Sequence, residues 1–226
     1  MFVSDLWAIF DTQGLRRIIL LSLGVSLSAT GLAALFGAPF GAALAACPFP
    51  GRRILVVAAN ALLGLPPVVV GLALYLLLSR SGPLGVLGLL FTPGAMVAAQ
   101  TVLALPIVAG LVLAASADLW AQYGAALQVD GATRLRAVPQ LLAMARLQLV
   151  TAVLAGFGRT VSEVGAILIV GGNIAGYTRT MTTAIVLETS KGNLSLALGL
   201  GLVLIGISIA VSATIFAYGA RGGRWW

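Results

Sequence analysis

The sequence predicts an all-α membrane protein with about five transmembrane helices. Of its 226 residues, 60% are hydrophobic and only 8% are charged, and the mean hydropathy is +1.10. Soluble domains carry far more charge, roughly 25% of their residues. Apolar stretches of about 20 residues recur along the chain, and each is long enough to cross a hydrocarbon core of roughly 30 Å as a helix. We therefore expect one bundle of membrane-spanning helices.

Five helices are expected within a single transmembrane domain that comprises residues 1–226. Their approximate ranges are 18–47, 54–78, 95–117, 147–170 and 196–218. Pro66 and Pro67 in the second helix and Pro106 in the third lack a backbone donor, which predicts kinks or breaks in mid-membrane. The more polar segments 118–146 and 171–195 are predicted to lie outside the membrane.

The first apolar stretch allows one alternative interpretation. Residues 44–47, Leu-Ala-Ala-Cys, spell a lipoprotein cleavage box, which would make the preceding stretch a signal sequence. However, the apolar run from Ile18 is much longer than a signal core of roughly 7–15 residues, and Arg52 and Arg53 follow it like a stop-transfer flank. We therefore interpret this stretch as the first transmembrane helix.

The composition excludes several classes of function. The net charge of +7 comes from 13 basic residues that are scattered singly or in pairs, unlike the basic stripe of a nucleic-acid-binding surface. With Cys47 as its single cysteine and no histidine, the chain offers no disulfide, no Cys/His metal site and no histidine base. We expect no metal site, no catalytic residue and no cofactor in this chain.

The basic residues favour one orientation in the membrane. If the loop at Arg52, the segment 118–146 and the C-terminal tail are cytoplasmic, that side carries seven basic residues against five on the other, as the positive-inside rule requires. The N-terminus is then periplasmic and the C-terminus cytoplasmic. The tail, Arg221–Trp226, supplies cations and indoles that would anchor it at the membrane surface.

The segment 118–146 alternates charged and amide residues with alanine and leucine at helical spacing, so it predicts a water-facing amphipathic element. Gly131 separates two helical patterns, Leu119–Val129 and Thr133–Leu147, and a residue free to adopt positive φ permits a tight helix-turn-helix there. The apolar face can bind a partner protein or lie at the lipid headgroups, and periodicity does not decide between them.

Part of this segment resembles the EAA loop of ABC importer permeases. Ala126 and Gly131 match that loop, whereas Ala125 stands at its glutamate position and Pro139 comes earlier than the Ile-x-Leu-Pro ending. In that family the loop is the coupling helix that docks into the ATPase subunit. The resemblance implies an ATPase-coupling role for Ala125, Ala126, Asp130, Gly131 and Ala132.

The run Phe157–Ala166 carries two charges in an apolar setting. Arg159 and Glu163 are four residues apart, so on a continuous helix they can pair. Such charges cost roughly 2.5–3.5 kcal/mol each at the centre of a membrane helix. They are either an ion pair that locks the fourth helix or, together with Ser162, contacts for a passing anion. The run is similar to the Phe-x-Arg-x-x-x-Glu-x-Gly-Ala segment of molybdate, sulfate and tungstate permeases.

A third segment, 170–193, is broken by glycines and rich in hydroxyl groups. Irregular backbone at membrane depth is tolerated where it packs in protein or lines a watery cavity, and its donors suit a tetrahedral dianion. The alternative is an ordinary external hairpin. The candidate residues for the translocation path are Asn173, Thr178, Arg179, Thr180, Thr182 and Thr183.

This third segment resembles tungstate permeases in particular, as do residues 65–72 and 81–85. The resemblance covers nearly the whole chain from about residue 18 onward. It implies the type I ABC importer permease fold in a bacterial inner membrane, an imported oxyanion, tungstate first and molybdate as the alternative, and a homodimer with a pore at its twofold interface. It also implies two ATPase subunits, which bind ATP and Mg, and a periplasmic oxyanion-binding protein.

The chain itself has no Gly-x-x-x-x-Gly-Lys-Ser/Thr phosphate loop. We therefore expect a transport subunit without its own ATPase site. The alternative is an ion-coupled secondary transporter, but such carriers place carboxylates at mid-membrane to relay ions, and Glu163 alone qualifies.

Overall fold

The computed structural model describes residues 13–220, with side chains for residues 14–217. Within that range the chain is helical, without strands, which confirms the all-α prediction. The helices are α1 (Gln13–Ala46), α2 (Arg52–Ala61), α3 (Pro67–Leu78), α4 (Pro93–Val129), α5 (Ala137–Met144), α6 (Arg146–Val161), α7 (Gly165–Gly171), α8 (Met181–Ser190) and α9 (Leu194–Ala220), with 3-10 turns at Leu62–Gly64 and Gly85–Leu87. The tail Arg221–Trp226, predicted to anchor the chain, lies outside the described residues.

Three of these helices, α1, α4 and α9, are long and apolar enough to cross a membrane. Two bent pairs also qualify if each is counted as one span: α2 with α3, bent by 106°, and α5 with α6, bent by 79°. The described residues thus hold three to five candidate spans, in agreement with the predicted membrane protein of about five helices.

The expected second helix, 54–78, is interrupted at Pro66. The 3-10 turn ends at Gly64, Pro66 has an extended ψ of 119°, and α3 begins at Pro67. A proline at the first helical position is favourable because its missing N–H has no partner there and its φ suits a helix. Pro106 behaves differently, since α4 continues through it without a break.

The third and fourth helices differ from the predicted ranges. The third was expected to end near residue 117, but α4 continues to Val129, because helical spacing persists and no stop signal occurs before Gly131. The fourth was expected to run from 147 to 170. Instead α6 ends at Val161, three residues are non-helical, and α7 begins at Gly165.

The chain divides into two compact units. Unit 1 contains the described residues up to Ala29, Pro66–Gln100 and Thr160–Val211, and unit 2 contains Thr30–Leu65, Thr101–Arg159 and the described residues from Ser212 onward. That the whole chain forms a single transmembrane permease domain stays a prediction.

Small residues pack the helices closely within each unit. In unit 2 the core consists mainly of alanines and valines from α1, α4, α5 and α6, including Ala42 and Val108. At Gly41 the backbones of α1 and α4 approach so closely that a Cβ atom would collide with the carbonyl oxygen of Ala109. In unit 1, α3 and α7 meet in the same way, because a Cβ at Gly71 would lie 2.8 Å from the Cα of Ala166.

Candidate functional site

The α4 helix ends in a tight turn, the Gly131 turn, which we define as residues 127–136. Gly131 has a φ of 82°. Its N–H donates to the carbonyl oxygen of Gln128 over 3.1 Å, and the N–H of Ala132 donates to that of Leu127 over 2.9 Å. This pair of bonds is the Schellman motif, which needs a left-handed residue and satisfies carbonyl groups that a helix end leaves unpaired.

The Gly131 turn presents apolar side chains to its surroundings. Val129 is 87% exposed and Leu135 is 72% exposed. Among the residues predicted to couple to an ATPase, Ala125, Ala126, Asp130 and Gly131 are exposed and Ala132 is half-buried. The turn therefore offers a compact surface with exposed apolar groups and charged neighbours.

Two arginines hold the C-terminus of α1 within unit 2. The Nε atom of Arg52 donates to the carbonyl oxygen of Leu44 over 2.6 Å, and Nη1 of Arg134 donates to that of Ala46 over 3.3 Å. Arg134 also lies over the ring of Trp120, 5.8 Å from its centroid. Cations suit this position because the last carbonyl groups of a helix carry partial negative charge.

The residues between α6 and α7, at positions 162–164, form a helix break in unit 1 that is held by side chains. Nε2 of Gln100 donates to the carbonyl oxygen of Thr160 over 2.7 Å. Oγ1 of Thr182 donates to the carbonyl oxygen of Glu163 over 3.0 Å. These donors replace helical N–H groups, and buried carbonyl groups need such partners.

Glu163 lies in this break and is buried, with 5% exposure. Its Oε1 accepts a hydrogen bond from the N–H of Ala166 over 3.1 Å, in the first turn of α7, where a carboxylate is favoured by the unpaired N–H groups. The sequence-based description of Arg159 and Glu163 as one turn apart on one helix is therefore wrong, because α6 ends at Val161. Ser162, between them, is exposed.

Arg159 belongs to unit 2 and is half-buried. Its Nη2 donates to the carbonyl oxygen of Leu65 over 3.4 Å. Leu65 is the last residue before the break at Pro66. The guanidinium group of Arg159 therefore donates to a carbonyl oxygen at the point where the second predicted span is interrupted. Direct pairing of Arg159 with Glu163 remains a prediction.

The segment after α7 is an ordered loop in unit 1. The buried Thr178 donates through Oγ1 to the carbonyl oxygen of Gly171 over 2.5 Å and accepts from the N–H of Ile174 over 3.0 Å. Nε of Arg179 donates to Oδ1 of Asn173 over 3.2 Å, and Asn173 has a positive φ of 50°. Thr178, Arg179 and Asn173 thus form one cluster whose hydrogen bonds shape the loop.

Three further candidate threonines begin α8. Thr180 is its N-cap, and Thr183 completes a capping box, with the N–H of each residue bonded to the hydroxyl of the other. The hydroxyl groups of Thr180 and Thr182 lie 3.1 Å apart. Because Thr182 also binds the carbonyl of Glu163, the structure brings these threonines to the helix break, whereas Asn173, Thr178 and Arg179 form the separate loop cluster.

Three polar residues of the same region were not predicted from the sequence: Ser22, Ser26 and Gln100. All three are at least 93% buried, with exposures of 7%, 3% and 1%. The Oγ of Ser22 accepts from the N–H of Met181 over 2.8 Å and thereby joins α1 to α8. The available signal was a lone amide in the apolar third helix and two serines four residues apart in the first.

An ion pair lies at the end of α8, outside the candidate spans. Nζ of Lys191 lies 2.8 Å from Oε1 of Glu188, and Asn193 donates to Oε2 over 3.2 Å. The hydrogen bond from Lys191, more than the one from Asn193 or the nearby charge of Arg179, lowers the pKa of Glu188 below its ordinary value. No group of three or more potential metal ligands occurs in the described range.

Known proteins resemble this chain over most of its length, although no protein-family model matches it. It is 43% identical over 185 residues to a "Probable anion ABC transporter permease protein" of Haloferax volcanii, and this alignment covers 80% of this chain and 80% of the relative. It is 38% identical over 213 residues to the "Tungstate uptake system permease protein TupB" of Peptoclostridium acidaminophilum, covering 94% of this chain and 93% of the relative. It is 32% identical over 189 residues to the "Molybdenum transport system permease protein ModB" of Escherichia coli K12, covering 77% and 80%.

Proposed function

Because this chain belongs to the family of ABC transporter permeases that includes the tungstate and molybdenum transport permeases, we propose that it is the membrane subunit through which tungstate is imported. The choice of tungstate as the substrate rests on the 38% identity to a tungstate uptake permease over 94% of the chain. Molybdate is the alternative anion, since a molybdenum transport permease shares 32% identity over 77% of it.

The partners in this proposal follow from the family. An ABC permease works with an ATPase, which binds ATP and Mg, and with a protein that binds the anion outside the cell. We further propose that two copies of the chain pair as a homodimer and meet two ATPase subunits. The chain then contributes a single transmembrane domain without an ATPase site of its own, in agreement with the missing phosphate loop.

The Gly131 turn is the proposed ATPase-docking surface. Val129 and Leu135 are exposed residues of this turn, which the Schellman bonds stabilise. Exposed apolar groups on an ordered turn suit a protein partner. The bonds from Arg134 to Ala46 and from Arg52 to Leu44 tie this region to α1. A push on the turn would therefore move the end of a membrane span.

The proposed orientation puts the N-terminus in the periplasm and the C-terminus in the cytoplasm. Unit 2 contains the Arg52 loop and the Gly131 turn, which this orientation assigns to the cytoplasm. Residues 79–92 and 171–193, assigned to the outside, belong to unit 1. Cysteines can be introduced singly at Leu135 and at Lys191 in a Cys47→Ser background. The cysteine at position 135 should react with an impermeant maleimide added on the cytoplasmic side, and the one at position 191 with maleimide added on the periplasmic side.

We propose that the helix break also takes part in transport. Closure of the ATPase subunits is proposed to shift packed helices between two arrangements, with the interruptions at Pro66 and at residues 162–164 as joints. Arg159, Ser162, Glu163 and the threonines near the break are the proposed gate, and Asn173, Thr178 and Arg179 the proposed outer loop of the path.

The test is ATP-driven uptake in proteoliposomes that contain the chain, its ATPase and its anion-binding protein. Gly131→Trp should abolish tungstate uptake and release the ATPase during purification, because a bulky residue at positive φ distorts the docking turn. Gly131→Asn is the matched control, since asparagine adopts this conformation more readily. Uptake that persists without ATP and follows a proton gradient would instead identify a secondary transporter.

A further inference from the structure

A small polar cavity lies inside unit 1, beside the helix break. The polar residues that line it are Ser22, Ser26, Gln100, Thr160, Thr180 and Thr182. Each of them is at least 93% buried, and they come from α1, α4, α6, the N-cap of α8 and α8 itself. The apolar part of the wall consists of Val161, Ile167, Met181 and Leu204.

One acceptor in this cavity has no protein partner. Gln100 is 1% exposed, and although its Nε2 donates to Thr160, its Oε1 has no hydrogen-bond partner among the described residues. A buried acceptor without a partner costs roughly 1–3 kcal/mol. At membrane depth this cost persists, because the surrounding lipid offers no donors.

The space matches one water molecule. The volume open to the centre of a water-sized sphere is about 10 Å3, which is about the smallest space that holds an ordered water. A dry void of this size would be expected to have apolar walls, and an ordered water needs two to four polar partners. The space admits about one water-sized sphere, so a tetrahedral oxyanion with its four oxygen atoms does not fit it in this conformation.

We propose that the cavity is a specific binding site for one ordered water molecule, which donates to Oε1 of Gln100. Its second proton has a hydroxyl acceptor on the wall: Oγ of Ser22 donates to the carbonyl oxygen of Ile18, and Oγ1 of Thr182 donates to that of Glu163. Since a hydroxyl has one donor and two lone pairs, both oxygens serve as acceptors here.

The water completes the hydrogen bonding around the helix break. Gln100 holds the carbonyl of Thr160 and Thr182 holds that of Glu163, so the two side chains that stabilise the break also line the cavity. A bridging water joins them without requiring a fixed contact between α4 and α8. The proposal concerns the conformation that the structure describes and does not rest on the identity of the transported anion.

The methionines make the site testable by radiolytic footprinting of the purified full-length chain. X-ray pulses convert bound and bulk water to hydroxyl radicals, which oxidise nearby methionine sulfur. Met181 lines the cavity and is 1% exposed, Met96 is 0% exposed and does not line it, and Met144 is 40% exposed. Met144 thus reports bulk water, and Met96 reports a buried thioether away from the site.

In the unmodified chain, Met181 should be oxidised several-fold faster than Met96 despite equal burial. Gln100→Leu removes the acceptor and should lower the rate at Met181 to that of Met96, whereas Gln122→Leu, the same change at an exposed position of α4, should leave it unchanged. The proposal is overturned if Met181 and Met96 react equally in the unmodified chain, a comparison that needs no variant to fold. It is also overturned if Gln100→Leu folds and Met181 still reacts rapidly.

Discussion

Arg134 donates a hydrogen bond to the main-chain carbonyl of Ala46, so a residue of the Gly131 turn holds the C-terminus of the first membrane helix. The two residues are 88 positions apart in the sequence. The same guanidinium lies over Trp120 of α4. A single side chain therefore connects the turn to two long helices within unit 2.

Removing this connection should destabilise unit 2. Arg134→Gln loses a charge-assisted hydrogen bond and a cation–π contact, together roughly 1–2 kcal/mol, and the apparent Tm in detergent should fall. Arg136→Gln is the matched control, because Arg136 is a neighbouring exposed arginine. Equal effects of the two substitutions would contradict a specific role for Arg134.

Thr178 should be sensitive to loss of its hydroxyl group. Thr178→Val keeps the shape but leaves the carbonyl of Gly171 and the N–H of Ile174 without this partner. The loss at the buried carbonyl alone costs roughly 1–3 kcal/mol. Protease should then cleave the loop 172–180 faster. Thr178→Ser keeps the hydroxyl and should resist cleavage as the unmodified chain does; rapid cleavage of the serine variant would indicate that the methyl group matters more.

The end of α8 should lose stability in acid. Since Lys191 lowers the pKa of Glu188 in the folded chain, the ion pair contributes its full stability above the unfolded pKa, near 4.5, and loses it as the pH falls through the lower folded value. The protection factors of residues 188–194, which correct the exchange rates for the intrinsic effect of pH, should fall over that acidic window. In Glu188→Gln the protection factors should be lower at neutral pH and lack this acid-dependent decrease; an unchanged decrease would assign it to another group.

Gly41 should tolerate no side chain. In Gly41→Ala the added Cβ meets the backbone of Ala109, and overpacking of this kind costs roughly 1–3 kcal/mol. Gly31→Ala, in the same helix with open space around it, should be neutral or slightly stabilising because alanine favours helices. The yield of monodisperse protein after detergent extraction measures both, and equal yields would refute the close approach.

Much of the fold was predictable because the local signals are strong. The lengths of the apolar stretches predicted membrane-spanning helices. Pro66 and Pro67 coincide with an interruption of the second predicted helix. The φ of Gly131 is positive, as its position between two helical patterns suggested. These features depend on the backbone chemistry of a few residues. They need no knowledge of distant contacts.

The helix break at residues 162–164 was not predictable in this way. None of the break residues, Ser162, Glu163 and Val164, is a proline or a glycine, so the helical pattern continues through them. The break is stabilised by Gln100 and Thr182, which are distant in sequence. The sequence around a single polar residue in an apolar helix does not show which distant residue it will contact. For the same reason the buried site around Gln100 was not predicted.

The contact at Gly41 limits how the membrane domain can work. Because main chain touches main chain there, the adjoining parts of α1 and α4 in unit 2 cannot slide or roll past one another without a steric clash. These two segments should therefore move together as one rigid body during each cycle of nucleotide turnover. Conformational change would then be concentrated at the interruptions of the helices, which makes those interruptions the natural targets for locking the transporter in one state.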